Sequence, residues 1–257
     1  MKVTVLGCGP SWGVPPIGGD WGACDPANPK NRRRRASILV EERGKTILVD
    51  TSPDMRAQLL DAGVKRLDAV LFTHAHADHL HGIDDLRSVN QLMQAEIPAY
   101  ATRQTLDDIE RRFGYVFAPA KPGLEGFYYR PRLQKAAISG PFEIAGISIV
   151  PFVQNHGFSE TTGFRFVRFA YSTDVFELDQ TAFKALDGVE IWVVDCIRRK
   201  PHLTHSHLEK TLGWIARVKP RRAVLTHMDE SMDYQTLRRE LPKGVEPGYD
   251  GLILEVQ

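Results

Sequence analysis

A run of metal-binding side chains at residues 73–79 constrains the fold and the chemistry of this chain more than any other feature. The run follows directly on an apolar stretch with the composition of a buried strand. Residues two apart in an extended chain point the same way, so His74 and His76 can converge on one ion. A turn after the strand lets Asp78 and His79 face a second ion. Imidazole and carboxylate together suit Zn, Mn or Fe, whereas histidines packed this densely gain little as core residues.

Short apolar stretches bounded by Gly, Pro, Asn or Asp recur through the chain and predict strands. They are Val3–Leu6, Ser37–Glu41, Thr46–Val49, Ala69–Phe72, Ile147–Phe152, Thr162–Phe166, Ile191–Val194, Ala223–Leu225 and Leu252–Val256. Apolar residues at helical spacing predict helices over Pro53–Ala62, Asp84–Gln94, His207–Val218 and Asp233–Leu241. Many of the strands are continuous Val/Ile/Leu runs, which is typical of strands buried on both faces. The pattern predicts an α/β fold in four layers, with two sheets inside and helices outside.

Composition limits the classes of protein to consider. With 257 residues, 42% of them hydrophobic, the chain can bury a full core, and we expect one domain over residues 1–257. The formal net charge of +1 argues against binding of duplex nucleic acid through bulk electrostatics. The apolar runs are too short to cross a bilayer, and the start reads as a first strand instead of a secretion signal. The 3 cysteines are too few and too scattered for a disulfide framework, so we expect a cytoplasmic protein.

Two basic segments each allow two interpretations. The run Arg32–Arg35 is interpreted as a solvated start of a strand in preference to a phosphate or nucleic-acid contact. Residues 98–141 are predicted to form an irregular insertion in which Arg and Lys stand among Phe and Tyr. Such a segment can hold a nucleotide by stacking and charge, or it can be a surface insertion with its own small apolar cluster.

The motif His-x-His-x-Asp-His after a strand resembles that of the metallo-β-lactamase superfamily, whose fold is the four-layer αβ/βα sandwich. Single residues near the ends of later predicted strands match the same pattern, namely His156, Asp174 and His227. The resemblance covers essentially the whole chain. It implies a pair of divalent ions, Zn²⁺ or Mn²⁺, with a shared carboxylate. The first ion would be held by His74, His76 and His156, the second by Asp78, His79 and His227, and the bridge would be Asp174.

Within the superfamily, the chain is more closely similar to the branch that contains the cyclic-phosphate phosphodiesterase of the carbon–phosphorus lyase pathway (the PhnP-like branch). The glycine-rich opening at residues 6–15, the extra histidine His205 and the ending at residues 248–252 carry this likeness. That relative has a Cys-x-Cys-x-x-Cys cluster for a structural zinc. Here the corresponding stretch holds only Cys24, and Glu230 stands where a supporting histidine is found. We therefore expect no structural zinc.

The resemblance implies hydrolysis of a small phosphodiester, such as a cyclic nucleotide or a cyclic sugar phosphate, by a hydroxide that bridges the two ions. His205 would donate a proton to the departing oxygen, with Asp78 sharing in proton handling, unless His205 is a surface histidine. Ser11 and Trp12 are candidates for the border of the substrate pocket. Asp250 is a candidate for orienting a ligand histidine, with a turn aspartate as the equal alternative.

Other members of the superfamily define the alternatives. A tRNA-processing endonuclease shares the ligands and an additional histidine, but it carries a basic, glycine-rich arm that this sequence lacks. A thioesterase of the glyoxalase type shares the ligands but not the opening loop or His205. A β-lactam hydrolase often has Cys at the position of Asp174. We expect no membrane partner, and the sequence leaves the oligomeric state open, a homodimer included.

Overall fold

Two seven-stranded sheets form the centre of the structure, a computed structural model that describes residues 1–123 and 126–257. The strands are β1 (Lys2–Gly7), β2 (Ser37–Glu42), β3 (Lys45–Val49), β4 (Ala69–Leu71), β5 (Ile97–Ala101), β6 (Leu133–Ala137), β7 (Phe142–Ile144), β8 (Ile147–Asn155), β9 (Glu160–Phe166), β10 (Phe169–Ser172), β11 (Ile191–Asp195), β12 (Arg222–Thr226), β13 (Val245–Pro247) and β14 (Leu252–Glu255). The helices are α1 (Met55–Asp61), α2 (Ala77–Leu80), α3 (Leu86–Met93), α4 (Arg103–Phe113), α5 (Gln180–Ala185), α6 (Leu208–Val218) and α7 (Tyr234–Glu240). The first sheet has the order β14-β1-β2-β3-β4-β5-β6, and the second has the order β13-β12-β11-β10-β9-β8-β7.

Alternation along the buried strands explains the four layers. In β2, Ile38 and Val40 belong to the core between the two sheets, whereas Leu39 packs in the core between the first sheet and its helices. Successive side chains of a strand point to opposite faces, so a strand with helices on one side and a sheet on the other must be apolar at every position. The predicted αβ/βα sandwich is confirmed. Among the described residues, no helix has the length and apolar character needed to span a membrane.

Each sheet contains three neighbouring parallel strands. β3, β4 and β5 run parallel in the first sheet, and β10, β11 and β12 run parallel in the second. Their carboxyl ends therefore share one edge in each sheet. A hydrogen bond of 2.9 Å from the Thr162 amide to the Thr73 carbonyl joins the two sheets at these edges.

Each strand predicted from the sequence overlaps an observed strand, but β5, β6, β7, β10 and β13 were missed. β5 shows why: it contains Pro98, which has no N–H for a sheet ladder, yet it lies between β4 and β6. The predicted helices Pro53–Ala62 and Asp84–Gln94 correspond to α1 and α3, and the latter is preceded by a 3₁₀ turn at Ile83–Asp85.

The segment at residues 98–141 is not the irregular insertion that was predicted. It contains most of β5, all of α4 and all of β6, so much of it belongs to the first sheet and its helical layer. Thr102 caps α4 by accepting a hydrogen bond from the Thr105 amide. This helix was missed in the sequence because charged residues follow its first residue. Residues 124 and 125 of the segment lie outside the described residues.

The basic residues of both segments are largely occupied by contacts within the protein. In the first run, Arg33 is buried, Arg34 pairs with Asp61 and Arg35 pairs with Asp54. In the second, ion pairs join Arg103 to Asp107, Arg111 to Asp108, Arg132 to Glu96 and Lys135 to Glu110. The interpretation of Arg32–Arg35 as solvated was wrong for Arg33, and the ion pairs of the second segment reduce the charge it can offer to a nucleic acid.

A matched pair of glycines provides a test of the packing. A Cβ at Gly82 would lie 2.0 Å from the Ser52 carbonyl oxygen, whereas a Cβ at exposed Gly213 in α6 meets nothing within 4 Å. We predict that Gly82→Ala lowers the free energy of unfolding by about 1–3 kcal/mol through overpacking. Gly213→Ala should raise it by about 0.5–1 kcal/mol because the unfolded chain loses entropy. Urea unfolding measures both, and a Gly82→Ala variant as stable as the parent would contradict the fold at the start of α3.

Candidate metal centre

The predicted metal ligands come together in two groups that share one carboxylate. In the first group are His74, His76, His156 and Asp174. The second consists of Asp78, His79, Asp174 and His227. Within each group the potential ligand atoms lie within 4.8 Å of one another. Six of these side chains are buried and His76 is exposed, so the first group faces the outside of the protein at His76.

Local structure explains how each side chain reaches the centre. α2 begins directly after His76 and turns Asp78 and His79 back towards the strand end. Asp174 follows β10 with a φ of +53°, and His227 follows β12 with a φ of +58°. Left-handed backbone is unfavourable for residues other than glycine and clusters at functional sites. At these two positions it redirects the chain as the strand ends.

The hydrogen bonds of His74 fix which ring nitrogen is free. Thr73 donates its hydroxyl proton to Asp50, with 2.8 Å between the oxygens, so it can only accept from His74 Nδ1 at 3.0 Å. Nδ1 of His74 therefore carries the proton. Nε2 is left with its lone pair, buried and without a hydrogen-bond partner among the described residues. This is the state in which an imidazole binds a metal.

The same arrangement recurs at two further ligands. His79 Nδ1 donates to Asp50 Oδ2 at 2.7 Å, and His156 Nδ1 donates to the Thr204 carbonyl at 2.7 Å. In both residues Nε2 is directed to the shared carboxylate, 3.0 Å from Asp174 Oδ1 for His79 and 3.8 Å from Asp174 Oδ2 for His156. Imidazoles whose Nδ1 is held by a carboxylate or a carbonyl, with Nε2 facing the centre, are typical of metal sites in proteins.

Electrostatics also fit a divalent cation. Burial keeps the pKa of His74 well below its usual value, and it lowers the pKa of His156, so both rings keep a free lone pair. Burial works in the same direction on His79, but the carboxylates of Asp174, Asp78 and Asp50 outweigh it and raise the pKa of His79 well above the usual range. A cation bound between these carboxylates would replace that proton. The donor set therefore fits a metal ion.

His205 lies inside the centre. It is outside the two groups above but forms a third group of potential ligands with Asp195 and His227. Its Nδ1 is 3.1 Å from Asp195 Oδ2, its Nε2 is 3.8 Å from Asp174 Oδ2, and its ring stacks on that of His227 at 4.7 Å. Burial lowers the pKa of His205, but Asp195, followed by Asp174 and Asp78, outweighs burial and raises it to about 9. The surface-histidine interpretation is contradicted, because His205 is only 6% exposed.

Asp250 does not orient a ligand histidine. Its carboxylate accepts hydrogen bonds from the backbone N–H groups of Cys8 and Arg34, at 3.2 and 2.8 Å, and so ties the first loop to the last strand. Of the two interpretations of Asp250, the turn aspartate is therefore the one that the structure shows. Trp12 is 44% exposed and donates its indole N–H to Glu230 at 3.0 Å, and Ser11 is also exposed. Their contact with a substrate is still a prediction.

Sequence reasoning missed the two carboxylates that support the histidines. Asp50 follows β3 and Asp195 ends β11, and each comes directly after a predicted strand. An aspartate at the carboxyl end of a buried strand was the available signal, the same one that applies to Asp174. What the sequence could not show is which histidine each one contacts. Those contacts span 29 residues for Asp50 and 10 residues for Asp195.

A cleft of about 360 Å³ opens beside the exposed side of the centre. His74 and His76 form one wall, α4 contributes Arg103 and Arg112, and Thr161 of β9 lies in the lining. Arg112 also donates to the Ala75 carbonyl, within the loop that carries both ligands. A larger groove of about 460 Å³ lies at Arg34 and Asp250, and none of the predicted metal ligands lines it.

Sequence comparisons identify the family of the chain. Residues 45–228 match the family model described as the beta-lactamase superfamily domain. The chain is 33% identical over 259 aligned residues to the octanoyltransferase of Porphyromonas gingivalis strain W83, covering 98% of this chain but 51% of that protein. It is 45% identical to the ribonuclease Z of Bradyrhizobium diazoefficiens over 69 residues, 26% of this chain and 23% of that enzyme. The chain thus spans about half the length, or less, of these curated relatives.

Among solved structures, a diphosphatase of the PhnP family superimposes with a TM-score of 0.91 at 34% identity, covering 100% of this chain and 98% of that one. Together with the superfamily match across residues 45–228, this likeness establishes the family. The chain belongs to the metallo-β-lactamase superfamily and, within it, to the PhnP family of hydrolases.

Proposed function

We propose that this chain is a metal-dependent phosphodiesterase that hydrolyses a small phosphodiester or a diphosphate diester at phosphorus. The observation that carries the proposal is the buried His205–Asp195 pair placed against the ligand groups. Metal ligands alone are common to many hydrolases of the fold. A protonated imidazole beside them serves a leaving oxygen that departs as a poorly stabilised alkoxide or phosphate.

We assign His74, His76 and His156 to one divalent ion, Asp78, His79 and His227 to the other, and Asp174 to both. Two such ions supply a water of lowered pKa and offset the charge on the phosphate oxygens. The protein holds the ligands in place from behind: Asp50 fixes the His79 ring, and the Thr204 carbonyl fixes the His156 ring. The ligand geometry is therefore preorganised, which lowers the cost of reorganisation during the reaction.

The proton needed by the leaving group is held by His205. Asp195 accepts the Nδ1 proton of His205 and also a hydrogen bond from the Val175 amide at 2.9 Å, so the carboxylate is fixed in position. Nε2 then carries the second proton on the side of Asp174. Asp195, Asp174 and Asp78 raise the pKa of His205 to about 9, which favours the protonated ring and donation from Nε2.

The cleft beside His76 accommodates the part of the substrate that stays on phosphorus. Its cations and hydroxyl groups suit a sugar phosphate or nucleotide more than an apolar ligand. The solved PhnP-family relative is described as a diphosphatase, which supports attack on a phosphorus atom and extends the substrate class to diphosphates.

Two other activities are compared with this proposal. A tRNA-processing activity has the ribonuclease Z sequence matches in its favour, but these cover only 26% to 34% of the chain. A thioesterase activity is favoured by the relative named octanoyltransferase, of which the chain matches half. A thiolate leaves without a proton, so His205 would be dispensable for a thioesterase. A panel of four substrates, a cyclic nucleotide, a dinucleoside diphosphate, a tRNA precursor and an octanoyl thioester, distinguishes these activities. Turnover of the thioester alone would overturn the proposal.

Asp174→Asn tests the shared carboxylate. Asparagine tolerates the left-handed backbone at this position, so the fold should persist while the charge is lost. We expect the parent protein to hold about two ions per chain and the variant to lose at least one, together with nearly all turnover. Elemental analysis of protein grown with Zn and Mn measures both. Asp187→Asn, at an exposed aspartate in the same half, is the control, and two retained ions in Asp174→Asn would contradict the bridging role.

His205→Ala tests the proton donor. We expect both ions to bind normally and turnover of a ribose phosphodiester to fall roughly 10²–10⁴-fold, the usual contribution of general acid catalysis. With p-nitrophenolate as leaving group the loss should be small, because that anion departs without a proton. Equal losses on both substrates would mean that His205 binds phosphate instead. His81→Ala, at an exposed histidine outside the ligand groups, is the matched control.

The pH profile gives a second measure of the same residue. The acidic form of His205 is lost as pH rises through its pKa, so turnover of the alkoxide substrate should fall on the alkaline side. Bound cations lower a pKa raised to about 9, so the fall is expected at or below pH 9. His205→Ala should lack this alkaline limb. A limb that persists unchanged in the variant would assign it to another group.

A further inference from the structure

Arg33 is a charged side chain that is buried in the protein and belongs to neither group of predicted metal ligands. It is 2% exposed, and its guanidinium has no carboxylate among its hydrogen-bond partners in the described residues. Instead it donates to the carbonyls of Asp229 and Met232 at 3.0 and 2.5 Å, to Asn31 Oδ1 at 3.4 Å and to Cys24 Sγ at 3.7 Å. A buried cation is retained at such a cost only if these bonds are made.

The loop that Arg33 holds follows directly on a metal ligand. Residues 228–233 come directly after His227. The φ of +58° at His227 makes the orientation of its side chain depend on the path of the chain after it. The Met228 amide bonds to the Cys8 carbonyl at 2.9 Å, and the Asp229 amide bonds to the Ile197 carbonyl at 2.8 Å. These bonds hold the start of the loop, and the guanidinium of Arg33 holds its middle and end.

The backbone of Arg33 holds the glycine-rich first loop. Its N–H and carbonyl both pair with Val14, each at 2.9 Å, in the glycine-rich first loop. Two further contacts join the first part of the chain to the loop after His227. The Ala23 amide bonds to the Glu230 carbonyl at 2.9 Å, and the Trp12 indole bonds to the Glu230 carboxylate at 3.0 Å. The first loop and the loop after His227 are therefore connected through one arginine and a few bonds around it.

The residues at this place do not fit a structural zinc. The Cys24 Sγ accepts from Arg33, and the Glu230 carboxylate accepts from Trp12. The groups that could hold a cation among the described residues do not include Cys24. A zinc site of this kind needs four ligands. The positive charge at this position is the guanidinium itself.

We propose that Arg33 is a positioning residue for the metal centre: its guanidinium cross-links the first loop to residues 228–233 and thereby holds His227 in ligating position. The inference rests on the assignment of His227 as a ligand made above. Its consequence is selective, because loosening this loop affects the ion held by Asp78, His79 and His227 and leaves the ion held by His74, His76 and His156 in place.

Three variants test the proposal on the full chain with zinc alone as the probe. Arg33→Met keeps the length and apolar stem of the side chain, Arg33→Lys keeps the charge without the planar fork, and Arg32→Met is the control at an exposed neighbour. Stepwise Zn²⁺ affinities are measured by competition with a chromophoric chelator. We expect one of the two affinities to fall about 10–100-fold in Arg33→Met, the usual cost of losing support behind a ligand, and to stay unchanged in Arg32→Met.

A purely structural role for Arg33 would lower the free energy of unfolding without changing the ratio of the two affinities, and that result would overturn the proposal. If Arg33→Met does not fold, Arg33→Lys carries the test, with the same ratio as its readout. His227→Ala serves as the reference. If it leaves both affinities unchanged, the ligand assignment fails; if it weakens one ion and the Arg33 variants do not, only the present inference fails. A third zinc with sulfur ligation in the parent protein would also overturn it.

Discussion

The buried carboxylate of Asp174 is the group on which the arrangement of the centre depends. It is 2% exposed and lies 3.0 Å from His79 Nε2 and 3.4 Å from His227 Nε2, with His74 and His156 at 3.8 Å on its other oxygen. An ionised carboxyl group can be buried this deeply only when positive charge surrounds it. Imidazoles from both sheets converge on it, which is why the strand ends of the two sheets must meet here.

Orientation from behind separates this centre from a chance cluster of histidines. Asp50 holds His79 and, through Thr73, His74, so one aspartate of the first sheet supports a ligand in each group. Asp195 of the second sheet holds His205. Both aspartates end or follow parallel strands, so the sheet edges supply the ligands and their supports together. In the proposed mechanism the extra imidazole would add proton transfer to metal binding, a combination that a phosphodiesterase needs and a thioesterase does not.

Much of this could be predicted from the sequence because its signals are local. The run at residues 73–79 identifies the centre by itself, and His156, Asp174 and His227 follow from their order at later strand ends. Asp50 was missed and Asp250 was left with two interpretations for one reason: the sequence shows an aspartate close to a strand, but not whether it faces a ligand or a neighbouring loop. Arg33 was hidden for a related reason, because a run of arginines suggests solvent exposure, and only the packing of distant loops shows that one of them is buried.

Anomalous diffraction at the zinc absorption edge, from crystals of the protein grown with Zn²⁺, tests the central claim most directly. The account predicts two peaks roughly 3.5–4 Å apart, the spacing of two-metal hydrolase sites, with Asp174 between them. One peak should lie among His74, His76 and His156, and the other among Asp78, His79 and His227. A single peak, or a pair of ions that Asp174 does not contact, would contradict it.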